Sequence, residues 1–179
     1  MRKMFNDYLF YPAYEITPLT MAVLVQRGKT KTEKVSTCIL EEQEEIIVEQ
    51  TPTKIIDYAC KFFGSSLKGR QEGTRDICGI THKAPISIDP ASGMYFFPTT
   101  SPSSEKCSWI AHSHIDQVNK AANQCTEVLF KTGKKIVLEV SFGSVLNQIQ
   151  RTAQFRYLLD NRIKYLQKQT VEMVAEPYA

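Results

Sequence analysis

The sequence predicts an α+β fold. It reads as one sheet-rich domain with an internal helix at about 52–63 and a long amphipathic C-terminal helix at about 144–168. Three observations carry that reading. Short extended apolar runs, broken by Gly and Pro, fill much of the chain. After Gly143 the apolar period changes to that of a helix. The length of 179 residues suits one compact domain that buries roughly 70% of its unfolded surface. Apolar residues at 42% and charged residues at 23% exclude a disordered chain, a collagen and a coiled-coil rod.

Residues 1–18, rich in aromatics and carrying Pro12 and Pro18, read as an irregular lead-in. The domain is expected over 19–168, with a short tail at 169–179. Met21–Val25 reads as a buried strand, Gln26–Lys34 as a polar loop and Val35–Leu40 as a second strand. The acidic run Glu41–Glu45 suits a turn or short helix, with Ile46–Val48 as strand behind it. Thr51-Pro52-Thr53 is a helix-start signal, since proline fits the first turn and threonine can cap. Ile55, Ile56, Ala59, Cys60 and Phe63 follow at helical spacing, and Gly64 can end the helix. Leu67–Gly73 is polar with two glycines and reads as a loop or broken helix.

Extended runs resume at Ile77–Thr81, Ile86–Ile88, Met94–Phe97 and Ser108–Ala111, and Pro98–Lys106 is a surface loop by composition. Glu127–Lys131 and Lys134–Val140 flank Thr132-Gly133, a hairpin signal. In the last helix Val145, Ile149, Thr152, Arg156, Leu159, Ile163 and Leu166 share one side. The opposite side carries Asn147, Arg151, Gln154, Asn161, Arg162 and Tyr165. Arg156 on the apolar side implies a snorkelling or paired arginine.

The longest clean apolar run, Met21–Val25, has five residues, whereas a membrane span needs about 20. No membrane partner is expected, and the protein is expected to be cytoplasmic. Five dispersed cysteines, Cys38, Cys60, Cys78, Cys107 and Cys125, form no CxxC and read as reduced thiols, mostly in the core.

The net charge of +3 is uninformative until it is located. Residues 54–83 carry net +3 and residues 131–168 net +6, against −6 over the rest of the chain. Basic clusters attract polyanions, although Lys and Arg also simply solvate helix faces.

Four candidate chemistries follow. Gly64-Ser-Ser-Leu-Lys-Gly69-Arg70-Gln71 has the glycine spacing of a P-loop. Arg70 and Gln71 stand where Lys and Ser or Thr belong, so the hydroxyl that would bind Mg²⁺ is missing. The segment still suits phosphate contact, because Ser65, Ser66, Lys68, Arg70, Thr74 and Arg75 donate hydrogen bonds and a helix terminus could add amides. A polar surface loop is the plainer reading. Cys107, His112 and His114, with His82 upstream, could suggest zinc. A strand there would put both histidines on one face without a defined fourth ligand, so no metal and no cofactor is expected. No nucleophile–base spacing supports catalysis, and an enzyme is not expected. The two basic segments with the polar helix face favour nucleic-acid binding. The alternative is a non-enzymatic interaction module whose basic surface binds an acidic partner.

Cys60–Lys83 (CKFFGSSLKGRQEGTRDICGITHK) resembles the central motif of the competence transcription factor (ComK) family of Gram-positive bacteria. The resemblance continues through Ala84–Pro90, Phe96–Thr99, Cys107–His114, the Glu127–Ser141 hairpin and Asn147–Thr152, over roughly 20–160. It implies an activator of DNA-uptake genes that binds paired A/T-rich boxes of double-stranded DNA, largely from the minor groove. It implies dimers or higher assemblies on DNA, contact with RNA polymerase, and adaptor-guided proteolysis. A second resemblance, over about 107–150, is to LytTR-type DNA-binding domains. Minor-groove reading uses cations inserted into a narrow, negative groove. Arg70, Arg75 and Arg151 are the candidates for insertion. Lys61, Lys68, Lys83, Lys131 and Lys134 suit phosphates, with His82 and His112 secondary. Trp109, Phe62, Phe63, Phe96 and Phe97 are expected in the core.

Overall fold

A computed structural model describes residues 15–26 and 35–174, with side chains described as far as Thr170. Of the lead-in expected over 1–18, residues 1–14 lie outside the described residues, as do most of the 26–34 loop and the end of the tail. Six strands form one antiparallel sheet: β1 (Thr20–Gln26), β2 (Ser36–Glu41), β3 (Glu45–Val48), β4 (Ile86–Asp89), β5 (Met94–Pro98) and β6 (Trp109–Ala111). Their spatial order is β3-β2-β1-β6-β5-β4. The long-range pairing of Ala22 with Ile110 and of Val23 with Trp109 joins the N-terminal hairpin to the later strands.

This sheet is covered on both faces, which explains why its strands read as continuous apolar runs rather than alternating ones. On one face Val23, Ile39, Ile86, Phe96 and Trp109 pack with Ile55, Ile56, Ala59 and Cys60. On the other face Ala22, Leu40, Phe97 and Ile110 pack with Val128, Phe130, Leu138 and Val145. Neighbouring residues such as Phe96 and Phe97 thus serve different cores, as the two-residue period of a strand requires.

The first face is closed by α1 (Pro52–Phe62) and α2 (Leu67–Cys78). Thr51 precedes α1 without a side-chain cap bond. Thr53, the second residue of α1, instead accepts the Trp109 indole N–H at 3.2 Å and donates to the Pro102 carbonyl at 3.1 Å. Gly64, at φ +72°, lies just past the end of α1.

The expected loop or broken helix at 67–73 is a regular helix, and the strand expected at 77–81 is absent because α2 runs to Cys78. The reason is capping rather than apolar period. Ser66 Oγ accepts the Gly69 amide at 3.0 Å, and Asp57 Oδ1 accepts the Leu67 amide at 2.9 Å. Gly79 closes the other end at φ +72°, its amide bonded to the Arg75 carbonyl at 2.8 Å. Only Leu67 and Thr74 of this helix are buried, so hydrophobic spacing could not reveal it.

The second face is closed by a three-stranded sheet, β7 (Ile115–Lys120), β8 (Thr126–Phe130) and β9 (Lys135–Leu138), and by α3 (Phe142–Val174). The hairpin at Gly133 forms as its sequence predicts. The strand expected around His112 and His114 is corrected to a single 3-10 turn linking β6 to β7. Helix α3 starts two residues before its expected bound and ends six residues after it. Its buried positions are Val145, Gln148, Thr152 and Phe155, and beyond Asp160 it leaves the body of the domain. Leu166, assigned above to the apolar side, is therefore 63% exposed.

Arg156 is paired as its position implied, 3.8 Å from Asp160 and 5.2 Å from the Tyr95 ring centroid. The Tyr95 hydroxyl donates to Asp160 Oδ1 at 2.9 Å, and its ring meets Phe155 edge-on, which fastens α3 to β5. Burial first, then the bond to Asp160, pushes the Tyr95 hydroxyl far above its usual pKa. All five cysteines are free thiols, and Cys38, Cys60 and Cys107 are buried. Burial pushes the Cys60 thiol up to about 11, which leaves it unreactive. No helix among the described residues is long and apolar enough to cross a membrane.

Candidate nucleic-acid interface

The basic residues singled out in the sequence fall in three places. The first is the corner where α1 turns into α2. Lys61 and Lys68 are exposed there, while Ser65, Ser66 and Arg70 are half-buried; Arg75 is exposed at the far end of α2, in its last turn. Lys61 Nζ lies 2.8 Å from Asp57, one turn back on α1. Burial would raise the Asp57 carboxyl, but the Lys61 bond and the Leu67 amide outweigh it and hold the group below its usual range. Arg70 Nη2 donates to the Phe63 carbonyl at 3.4 Å, while its buried Nε has no hydrogen-bond partner among the described residues. Arg75 lies 4.0 Å from Asp76 and shares the exposed side of α2 with Glu72.

This geometry corrects two expectations. The amides at the start of α2 do not form an open phosphate cradle, because Asp57 and Ser66 already occupy two of them. Thr74 is not a surface donor. It is fully buried, and its hydroxyl donates to the Pro85 carbonyl at 2.7 Å.

A third correction concerns the aromatics. Trp109, Phe96 and Phe97 are in the core, but Phe62 is 72% exposed and Phe63 39% exposed. Their rings meet edge-on at 5.2 Å. The seven-residue steps from Ile55 to Phe62 and from Ile56 to Phe63 keep both rings on the apolar side of α1. The helix has by then passed the end of its core, so the same stripe meets solvent. Helical spacing identifies a face, and it carries no signal for where the covering layer stops.

The second place is the seam between α2 and α3. His82 and Lys83 are exposed on the loop that follows α2, with Lys83 at φ +48°. Their carbonyls are held by α3. Gln148 Nε2 donates to the Lys83 carbonyl at 3.0 Å and to the Pro98 carbonyl at 2.7 Å. Arg151 Nη1 donates to Gln148 Oε1 at 2.9 Å, and Nη2 donates to the His82 carbonyl at 2.5 Å. Burial pulls Arg151 below its usual pKa, as expected of a cation drawn partly out of water. Arg151 therefore positions the 82–83 loop, a role its sequence position did not reveal.

The third place is the end of the β8–β9 hairpin. Lys131 is exposed and lines an open depression of about 450 Å³ with His112, Asp116 and Arg156. Burial, with Arg156 and Lys131 adding to it, lowers the His112 pKa from its usual value. Lys134 Nζ donates to the Glu41 carbonyl at 3.1 Å, so its ammonium group serves the domain itself. Arg151 and Arg156 stand about 140° apart around α3, so this depression and the α2 seam lie on different flanks of that helix. His114, from the same turn, is bonded to the Pro18 carbonyl at 2.8 Å. Cys107 lies in the other core with α1, and among the described residues no group of three or more His, Cys, Asp or Glu could hold a metal ion.

Comparison with known proteins gives two matches. The family model described as ComK protein matches residues 12–164. The chain is 35% identical over 165 residues to the competence transcription factor of Bacillus subtilis (strain 168), covering 92% of this chain and 84% of that protein. No solved structure matches.

Proposed function

Because the chain belongs to the ComK protein family, we propose that it activates transcription of competence genes by binding paired A/T-rich boxes in duplex DNA, mainly through the minor groove. The observation that carries the DNA reading is the set of exposed cations along α2, from the α1–α2 corner at its start to the 82–83 loop beyond its end. There Lys61, Lys68, Arg75, His82 and Lys83 are exposed on connected elements. Lys68, Arg75 and Lys83 would supply charge for phosphates, and Arg70 would enter a narrow groove by giving up its 3.4 Å bond to the Phe63 carbonyl. Lys131 and His112 form a separate contact that a second box or a second copy could use. Binding as a dimer or larger assembly, and contact with RNA polymerase, are parts of the same proposal.

The test is binding to an A/T-rich box pair with salt varied. The logarithm of the association constant should fall with log salt by about 0.9 per neutralised phosphate. Lys68→Ala and Lys83→Ala should each flatten that slope by about 1, across all sequences. Arg70→Ala should narrow the preference for A/T over G/C duplex. Equal affinity for G/C duplex, or a salt-independent association constant, would remove the minor-groove proposal.

A further inference from the structure

The α1–α2 corner holds a feature that phosphate contact does not use. Phe62 is the most exposed large apolar side chain among the described residues, and Phe63 stands edge-on beside it. Both rings lie at the end of α1, beyond its last buried residue, Cys60. The turn is fixed from below: Gly64 reverses the chain at φ +72°, and the Ser65 amide bonds the Cys60 carbonyl at 3.0 Å. Asp57 and Ser66 then start α2 directly behind it. The rings are thus carried on a short, well-tied corner rather than on a loose loop.

The surroundings select the partner. Lys61 precedes Phe62 in the chain, Lys68 lies at the start of α2, and Arg70 reaches back to the Phe63 carbonyl. Asp57 is paired with Lys61 and accepts the Leu67 amide, so that pair is neutral and the net positive charge beside the rings comes from Lys68 and Arg70. A purely apolar groove would gain nothing from this rim of cations. A base stack flanked by phosphates would use both the rings and the rim, and flat aromatic faces suit the opened gap between two bases.

We propose that Phe62, supported by Phe63, is a wedge that enters a base step of bound duplex DNA and bends it. The step it favours is a pyrimidine–purine step such as TA, which unstacks most readily. This rests on the DNA-binding reading above. It adds that sequence is selected partly through deformability, at a position where Phe62 makes no hydrogen bond.

The experiment uses the full chain and an A/T-rich box duplex carrying 2-aminopurine at a central TA step. Bending is read by end-to-end energy transfer on the same duplex. Wild-type protein should raise the 2-aminopurine fluorescence and bend the duplex by an angle within about 20–90°. Phe62→Ala should lose the fluorescence rise and at least half of the bend, with affinity reduced about tenfold or less. Phe62→Leu, still an apolar wedge, should retain most of both. An unchanged bend and fluorescence rise in Phe62→Ala would overturn the wedge and leave the DNA reading intact. Wild-type protein that binds without unstacking the probe would do the same, and needs no variant to fold. Loss of self-association in Phe62→Ala at unchanged bend would overturn it in favour of a protein contact. Absence of wild-type binding to any A/T duplex would overturn both readings.

Discussion

Gln148→Leu tests the central joint of the domain. Gln148 is only 3% exposed and makes three hydrogen bonds, to the Lys83 carbonyl, the Pro98 carbonyl and the Arg151 guanidinium. Leucine nearly preserves the volume and removes every one of them. At about 1 kcal/mol net per bond, the loss is about 3 kcal/mol. Burying the added apolar surface returns about 1 kcal/mol, so the expected destabilisation is about 2 kcal/mol. With a urea m-value near ~2 kcal/mol/M, the unfolding midpoint should fall by about 1 M. Gln154→Leu, on an exposed position of the same helix, should stay within about 0.5 kcal/mol of wild type. A double-mutant cycle with Arg151→Met should show coupling of about 0.5–3 kcal/mol, because the two side chains act as one clamp. A destabilisation below about 0.5 kcal/mol for Gln148→Leu, or no coupling, would refute the assignment of Arg151 to positioning the 82–83 loop.

Tyr95→Phe should cost about 1.5–3 kcal/mol in urea unfolding, since it removes a hydrogen bond to the Asp160 carboxylate that fastens α3 to β5. Gly79→Ala should cost about 1–2 kcal/mol in thermal or urea unfolding, because φ +72° is left-handed backbone that a Cβ disfavours. Its Cβ would meet nothing within 4 Å, so the loss is conformational and Gly79→Asn should recover part of it. The pH dependence follows from His112, whose pKa is depressed in the folded state by burial and by Arg156 and Lys131. The unfolded chain therefore binds more protons below the usual histidine pKa of about 6.5. The stability associated with a neutral His112 is present above that pH and is lost as pH falls toward the lower folded value. His112→Asn should flatten unfolding midpoints measured between pH 7 and pH 5.5; an unchanged profile would show that the turn carries no such linkage.

Eight of the nine strands among the described residues, and the hairpin, were legible because their signals are local; β7, mostly exposed, was not read as a strand, and the strand read at 77–81 is absent. A run such as Met94–Phe97 can only be buried, and Thr132-Gly133 turns the chain wherever it lies. The start of α1 and most of α3 were legible for the same reason. Helix α2 was not, because its order comes from capping groups, one of which belongs to α1. The turn at His112–His114 was read as strand because alternation over three residues does not separate the two conformations.

The sequence by itself determined the fold class, most of the strands, the family and the existence of two basic segments. Those properties depend on side-chain type and spacing, which need no knowledge of neighbours. Tertiary structure decided what each basic or aromatic residue is free to do. Arg151, Lys134 and Thr74 are directed inward by carbonyls far away in the chain, at His82, Glu41 and Pro85. Asp57 fills the helix terminus that a phosphate would have needed. Phe62 and Phe63 continue the apolar stripe of α1 beyond its last buried residue, Cys60, and both are exposed. Periodicity specifies direction around a helix. Only packing specifies where the partner surface ends, and the residues beyond that edge stay exposed.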